Sequence, residues 1–285
     1  MHADSSQKGA RPSLRALAAL LAIAAVVGLV AASAEGADRS ATSLAKITAP
    51  SFVAIDADSG AVLVARRATV RRPIASLTKV MTGLLEIERG RLSDRIRVPA
   101  AAAAVEDYRE GLVPGRRYRR ITLLRSALMV SANDSATALA LDGGDGSLAR
   151  FYTLMNSKAR AVGMTGTVYA SASGLDDVHN VSTALDQALL ARVAMRNQTF
   201  AAIVGTARYV TRWSAPTYSK IWVNHNKMLS AAPGTYGVKT GWTTRAGGCL
   251  IIAQRRGGRS VIGVVLASQS IWSDMTKVLD AAFAS

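Results

Sequence analysis

Pro73-Ile74-Ala75-Ser76-Leu77-Thr78-Lys79-Val80-Met81-Thr82 is the stretch on which the reading of this chain turns. Leu77, Val80, Met81, Leu84, Leu85 and Ile87 recur at three-to-four spacing until Gly90, which predicts a helix opening near Ser76. Ser76 and Lys79 then lie one turn apart on one face, the hydroxyl at the positive end of the helix. Backbone N–H groups at that end can stabilise an oxyanion. An amine can take the proton of a hydroxyl only if its pKa falls from ~10.4, and burial or a second cation lowers it. Alone, Ser-x-x-Lys is a weak signal, because the same spacing ordinarily marks an N-cap and a surface lysine.

Outward from this stretch, the pattern separates into strands at both ends and helices between. Phe52-Val53-Ala54-Ile55 and Val62-Leu63-Val64 flank the turn cluster Asp56-Ala57-Asp58-Ser59-Gly60, a hairpin. A calcium loop starting at Asp56 would need a carboxylate where Arg67 stands, so the turn reading prevails. Helical periodicity recurs over 121–130, 133–141, 151–162 and 183–195, with Ser131-Ala132 as a joint. After Gly205 the strand signal returns. Cys249 to Ala253 and Val261 to Leu266 bracket Arg255-Arg256-Gly257-Gly258, and Trp272, Met275, Leu279 and Phe283 mark a closing helix. The expected class is α/β (α+β): an antiparallel sheet from both chain ends, flanked by helices, with an inserted mainly helical subdomain over about 75–205.

Composition narrows the setting. Across 285 residues, 49% are hydrophobic and 19% charged, which supports a sizeable core and excludes wholesale disorder. A single cysteine, Cys249, excludes an internal disulfide framework and a multi-cysteine metal site, and its apolar strand makes it a small core residue. No metal and no cofactor are expected. Lys8, Arg11 and Arg15 precede the uncharged run Ala16–Ala34, which closes on Ala32-Ser33-Ala34. Residues 1–34 therefore read as a secretory signal peptide, or as an uncleaved N-terminal anchor, since the run just reaches a bilayer span of ~20 residues. The expected localisation is extracytoplasmic. Residues 35–48 read as a linker and 49–285 as the catalytic domain. The net charge is +16, mostly arginine. For an exported protein that surplus points to anionic cell-envelope polymers or lipid headgroups; no nucleic-acid motif appears, and aromatics are only 5%.

Two further triplets accompany Ser76 and Lys79. Ser131-Ala132-Asn133 falls at the helical joint, where a hydroxyl and an amide can project into a cleft, although Ser and Asn are also ordinary N-caps. Lys239-Thr240-Gly241 precedes the last hairpin, with a glycine that lets another backbone come close. Each is unremarkable singly; the three in this order are hard to dismiss.

Together with Gly174-Leu175, His179, Ser182-Thr183-Ala184 and Asn224 to Leu229, these motifs resemble the serine D-alanyl-D-alanine carboxypeptidases, the low-molecular-mass penicillin-binding proteins of peptidase S11 type. The likeness covers about residues 50–285. It implies a β-lactamase or penicillin-binding transpeptidase-like fold, a peptidoglycan stem peptide as substrate and β-lactam antibiotics as acylating inhibitors. Carried onto this sequence, Ser76 is the nucleophile, Lys79 its base, Ser131 a proton relay and Lys239 an electrostatic partner. Asn133 and Thr240 hold substrate, and the backbone N–H groups of Ser76 and Trp242, beside Gly241, receive the oxyanion. The arginine that many relatives carry just after the last strand is missing from Ser268–Asp274. The C-terminal β-domain and amphipathic helix of many relatives are also not expected, so membrane attachment would come from the N-terminal segment or from charge. His179 and His225 read as structural. The alternatives are a D,D-endopeptidase acting on crosslinks with the same site and, less favoured, a β-lactamase. Against the latter, no glutamate lies between Ser131 and Lys239 to activate water. A non-catalytic wall-binding protein on this scaffold would lack the nucleophile, its base or the triplet lysine, and all are present.

Overall fold

The computed structural model describes residues 44–285 apart from 176, 215 and 216. The leader or anchor read over 1–34 lies outside the described residues, as does most of the linker. Among the described residues no helix is long and apolar enough to cross a membrane.

The strands in chain order are β1 (Ser51–Asp56), β2 (Val62–Arg66), β3 (Arg72–Pro73), β4 (Arg95–Arg97), β5 (Arg117–Arg119), β6 (Val181–Ser182), β7 (Arg208–Ser214), β8 (Thr217–Val223), β9 (Thr235–Thr243), β10 (Gly247–Arg256) and β11 (Arg259–Ser268). The helices are α1 (Lys79–Glu88), α2 (Ala100–Ala103), α3 (Arg120–Met129), α4 (Asn133–Gly143), α5 (Leu148–Val162), α6 (Ala184–Met195), α7 (Gln198–Val204), α8 (Met228–Ala231) and α9 (Ile271–Ala284). One five-stranded sheet runs β2-β1-β11-β10-β9, so the two chain ends do share a sheet. Its mapped pairings are antiparallel.

Period-two alternation assigns the two faces of this sheet. Phe52, Ala54, Leu250, Ile252, Val261 and Val265 face one side and pack with Met275, Val278 and Leu279 of α9. Gly263 lies on the same side, where a Cβ would stand 2.7 Å from Met275 Sδ. Val53, Ile55, Cys249, Ile251, Ile262 and Val264 point the other way and join the core of the helical body. Asp56 Oδ1 accepts from the backbone N–H groups of Asp58 and Ser59, the turn that the sequence predicts there.

The helical body is inserted between β3 and β9 and includes two short hairpins that periodicity missed. β4 pairs with β5, and β7 with β8. Their buried faces meet through Tyr118 and Trp213, whose ring centroids are 5.1 Å apart. The three-residue strands are too short for an alternating pattern to stand out, and in β7 and β8 the outward Val210 and Ile221 blur the alternation.

Ile47 and Ala49 are buried, so the end of the stretch read as a linker is fastened to the fold. Asp274, at the start of α9, accepts from Thr48 N at 3.0 Å, Thr48 Oγ1 at 2.6 Å, Ala49 N at 2.9 Å and Ser268 Oγ at 2.6 Å.

Candidate active site

Ser76 does not sit on an α-helix proper. Ala75–Thr78 form a 3₁₀ turn that feeds α1 at Lys79, with Ala75 at φ 48°. Thr78 Oγ1 donates back to the Ala75 carbonyl at 2.8 Å, and Asn180 Nδ2 donates to Thr78 Oγ1 at 2.9 Å. Two glycines admit this turn. A Cβ on Gly174 (φ +82°) would lie 1.9 Å from the Ala75 carbonyl oxygen, and one on Gly241 would lie 2.9 Å from Ser76 N. Strand β9 and the loop around Gly174 thus grip the backbone at Ala75 and Ser76 from two sides.

Lys79 is wholly buried. Its Nζ lies 2.8 Å from Ser76 Oγ, 2.7 Å from Asn133 Oδ1 and 2.6 Å from the Ser173 carbonyl. Two of these neighbours are pure acceptors, and together they occupy both N–H bonds of a neutral amine. The lone pair is then left for the Ser76 hydroxyl. Burial, and secondarily the Lys239 charge, hold the Lys79 pKa well below the usual lysine value, against an opposing pull from Asp134. Lys239 is buried too, and burial pushes it down to about 7; its Nζ donates to the Thr240 carbonyl at 2.9 Å.

Ser131 occupies the α3–α4 joint at φ 64°, a backbone setting rare for a residue with a Cβ. The joint is pinned from three directions. Asn133 N donates to the Tyr108 carbonyl at 2.8 Å, Asn133 Nδ2 to the Asp107 carbonyl at 3.0 Å, and His225 N to the Met129 carbonyl at 3.0 Å. Asn226 Nδ2 in turn donates to the Gly237 carbonyl of β9 at 2.9 Å. Asp134 accepts from the N–H groups of Glu110, Gly111 and Leu112 and fixes the loop that carries Tyr108.

A cavity of about 180 Å³ opens over these groups, lined by Ser76, Ser131, Thr240, Gly241 and Trp242 together with Tyr108, His225, Ile271 and Trp272. Lys79 and Asn133 are buried below it and bonded to each other, and Lys79 also reaches Ser76. Tyr108, Ile271, Trp272 and the Ser173 carbonyl were not singled out by the sequence reading. Tyr108, Ile271 and Trp272 belong to none of the three triplets, and a main-chain carbonyl leaves no mark in composition. His225, read as structural, reaches the cavity rim with its ring edge-on to Tyr108 at 6.3 Å. His179 is exposed on a loop and does not line this cavity; its backbone N–H donates to Asp177 Oδ1 at 2.7 Å. Cys249 is buried, and burial raises its thiol to about 12. No cluster of three or more His, Cys, Asp or Glu side chains suited to a metal occurs among the described residues.

A buried amine against a serine hydroxyl, under a cavity edged by a sheet strand, defines a serine acyl-transfer enzyme. The chain belongs to the D-alanyl-D-alanine carboxypeptidase family, peptidase S11, whose model matches residues 38–270. It is 34% identical to the D-alanyl-D-alanine carboxypeptidase of Streptomyces sp. strain K15, over 86% of this chain and 92% of that one. It is 32% identical to D-alanyl-D-alanine carboxypeptidase DacF of Bacillus subtilis, over 86% of this chain but 65% of the Bacillus protein's own length. The crystal structure of the Streptomyces K15 DD-transpeptidase superposes with a TM-score of 0.79 at 32% identity, covering 84% of this chain and 98% of that one. Some relatives are named D-alanyl-D-alanine endopeptidases.

Proposed function

We propose that the protein is a serine D-alanyl-D-alanine carboxypeptidase that removes the terminal D-alanine from peptidoglycan stem pentapeptides through an acyl-enzyme on Ser76. The observation that carries this reading is the Lys79 amine, buried and held below its ordinary pKa, 2.8 Å from Ser76 Oγ.

Ser76 Oγ attacks the carbonyl between the two D-alanines while Lys79 accepts its proton. The developing oxyanion lies between the N–H groups of Ser76 and Trp242, a reading that the close approach of Gly241 to Ser76 N supports. Ser131, on the cavity wall, relays a proton to the departing amine. Asn133 holds Lys79 and the substrate amide, while Lys239 and Thr240 attract the terminal carboxylate. Water then releases the acyl group. β-Lactams, mimics of the same terminus, acylate Ser76 and leave slowly. The leader read over 1–34 places this chemistry outside the cytoplasm, with anionic envelope polymers as the partners of its positive surface.

The Ser173 carbonyl, rather than a carboxylate, is the third neighbour of Lys79, and the last glutamate of the sequence, Glu110, is paired with Lys220. Fast lactam hydrolysis is therefore not expected. Incubation with a fluorescent penicillin tests the nucleophile: wild type is labelled, and labelling that persists in Ser76→Ala would sink the assignment. Assaying free D-alanine from a pentapeptide beside cleavage of a crosslinked dimer tests the specificity. Crosslink cleavage without D-alanine release would favour the endopeptidase instead.

A further inference from the structure

The β4–β5 hairpin carries a charge pattern that the catalytic site does not use. Its register sets Arg95 opposite Arg119 and Arg97 opposite Arg117, with Ile96 opposite Tyr118 between them. Ile96 and Tyr118 are each 2% exposed and anchor the hairpin to the core. The four arginines point the other way and are all exposed. Among the described residues none of the four forms an ion pair; the neighbouring Asp94 pairs with Arg91. Like charges directly across a ladder destabilise a hairpin, and this one holds two such pairs in succession on two three-residue strands. A bound polyanion would turn that repulsion into attraction.

We propose that the outward face of the β4–β5 hairpin is a docking pad for a linear phosphate-bearing polymer. Guanidinium groups grip phosphate oxygens with two parallel N–H bonds, which a lysine cannot do. Positions two apart on a strand lie ~7 Å from one another and directly opposed ones ~5 Å, so consecutive phosphates of one chain can meet neighbouring arginines. The buried inward pair keeps the four stems on a firm base before any ligand arrives. A membrane surface is the poorer fit, because the outward positions of both strands are all arginine and offer no apolar side chain to enter the acyl boundary. Nor does the pad present an aromatic ring outward on which a nucleobase could stack.

The test is titration of the full chain with linear inorganic polyphosphate over a series of salt concentrations. Wild type is expected to bind, and the quadruple variant Arg95→Gln, Arg97→Gln, Arg117→Gln, Arg119→Gln to bind at least tenfold more weakly. The log–log salt slope should flatten by about three, from four lost contacts at ~0.7 each. A control that removes the same charge elsewhere, Arg160→Gln, Arg196→Gln, Arg208→Gln and Arg212→Gln, should lose less than threefold. Thermal melts should place the pad variant at or above wild type, since repulsion has been removed; the two cross-strand pair variants, tested separately, provide folded proteins should the quadruple misfold. Equal loss in pad and control variants, or no binding by wild type, overturns the proposal. So does tighter binding to phosphatidylglycerol vesicles or to a single-stranded oligonucleotide than to polyphosphate at matched charge.

Discussion

Asn133 presents its carbonyl oxygen to Lys79 Nζ at 2.7 Å while its amide nitrogen gives one of its two N–H groups to the Asp107 carbonyl at 3.0 Å. The amide is thereby oriented from both ends, and a neutral acceptor, rather than a carboxylate, touches the buried amine. Asn133→Asp is nearly isosteric but places a negative charge against Lys79. That charge raises the lysine pKa and keeps the base protonated. Acylation by penicillin at neutral pH should fall by about 10²-fold, the lower part of the range for a positioned base, with partial recovery as pH rises. A rate equal to wild type's at pH 7 would show that Lys79 does not act as the neutral base.

Lys239 offers a second handle, through pH. Burial pushes it down to about 7, so the positive field that attracts a substrate carboxylate fades as pH rises through that value. The acylation constant kcat/KM should therefore decline above pH ~7, whereas kcat holds to higher pH because the bound carboxylate draws the lysine pKa back up. Stability moves in the opposite sense. The unfolded lysine keeps its proton to ~10.4 and the folded one releases it near 7, so the unfolded state binds more protons between the two values. Wild-type stability from this group rises with pH across that window. Lys239→Met should lose activity yet melt several degrees higher than wild type at pH 6, the gap narrowing towards pH 10. Melting curves at both pH values check this.

The path from sequence to site was clearest where chemistry and periodicity coincide. The helix expected over 121–130 is α3 at Arg120–Met129, and the one expected over 183–195 is α6 at Ala184–Met195, capped by Thr183 Oγ1 on Asp186 N at 3.0 Å. Ser76, Ser131 and Thr240 line one cavity although 164 positions separate the first and last. What the sequence concealed is of another kind. The 3₁₀ turn at Ala75–Thr78 is imposed by tertiary contacts, with Gly174 and Gly241 against its backbone, and local propensity has no term for that. The β7–β8 hairpin is stabilised by Trp213 and Trp222 burying their rings in the interior, while Val210 and Ile221 face out, so hydrophobicity alone does not give its inside from its outside.

Gly241 is required by distance. Its backbone runs so close to the nucleophile that an added Cβ would stand 2.9 Å from Ser76 N, 3.2 Å from Ala75 Cβ and 3.2 Å from Leu77 N. Two of the three neighbours are backbone and cannot swing aside. Gly241→Ala should push β9 away from the 3₁₀ turn and part the two oxyanion donors, lowering acylation by about 10²-fold, the scale of a ~1 Å misplacement. Global stability should change far less, because the β9–β10 ladder remains. Penicillin labelling rates read beside thermal melts separate the two effects; unchanged labelling would remove the Trp242 N–H from the oxyanion site.

Asp274 ties the start of α9 to the strand that opens the domain, and the same helix start supplies Ile271 and Trp272 to the cavity. Burial pushes its carboxyl up, but the hydrogen bonds from Ser268, Thr48 and Ala49 outweigh that and hold it below the ordinary aspartate value. A carboxyl with a lowered folded pKa contributes stability above the unfolded value of ~3.9 and loses it as pH falls through the folded one. Asp274→Asn keeps the shape but turns half of a four-acceptor group into donors facing donors. At pH 7 it should cost about 2–3 kcal/mol, the scale of hydrogen bonds to a charged group. The difference from wild type should begin to shrink as pH drops below ~4, where the unfolded aspartate takes up its proton, and go on shrinking until the folded carboxyl is protonated too. Denaturant melts at pH 7 and at pH 3 measure both; a constant difference across that range would mean that shape, not charge, makes the tie.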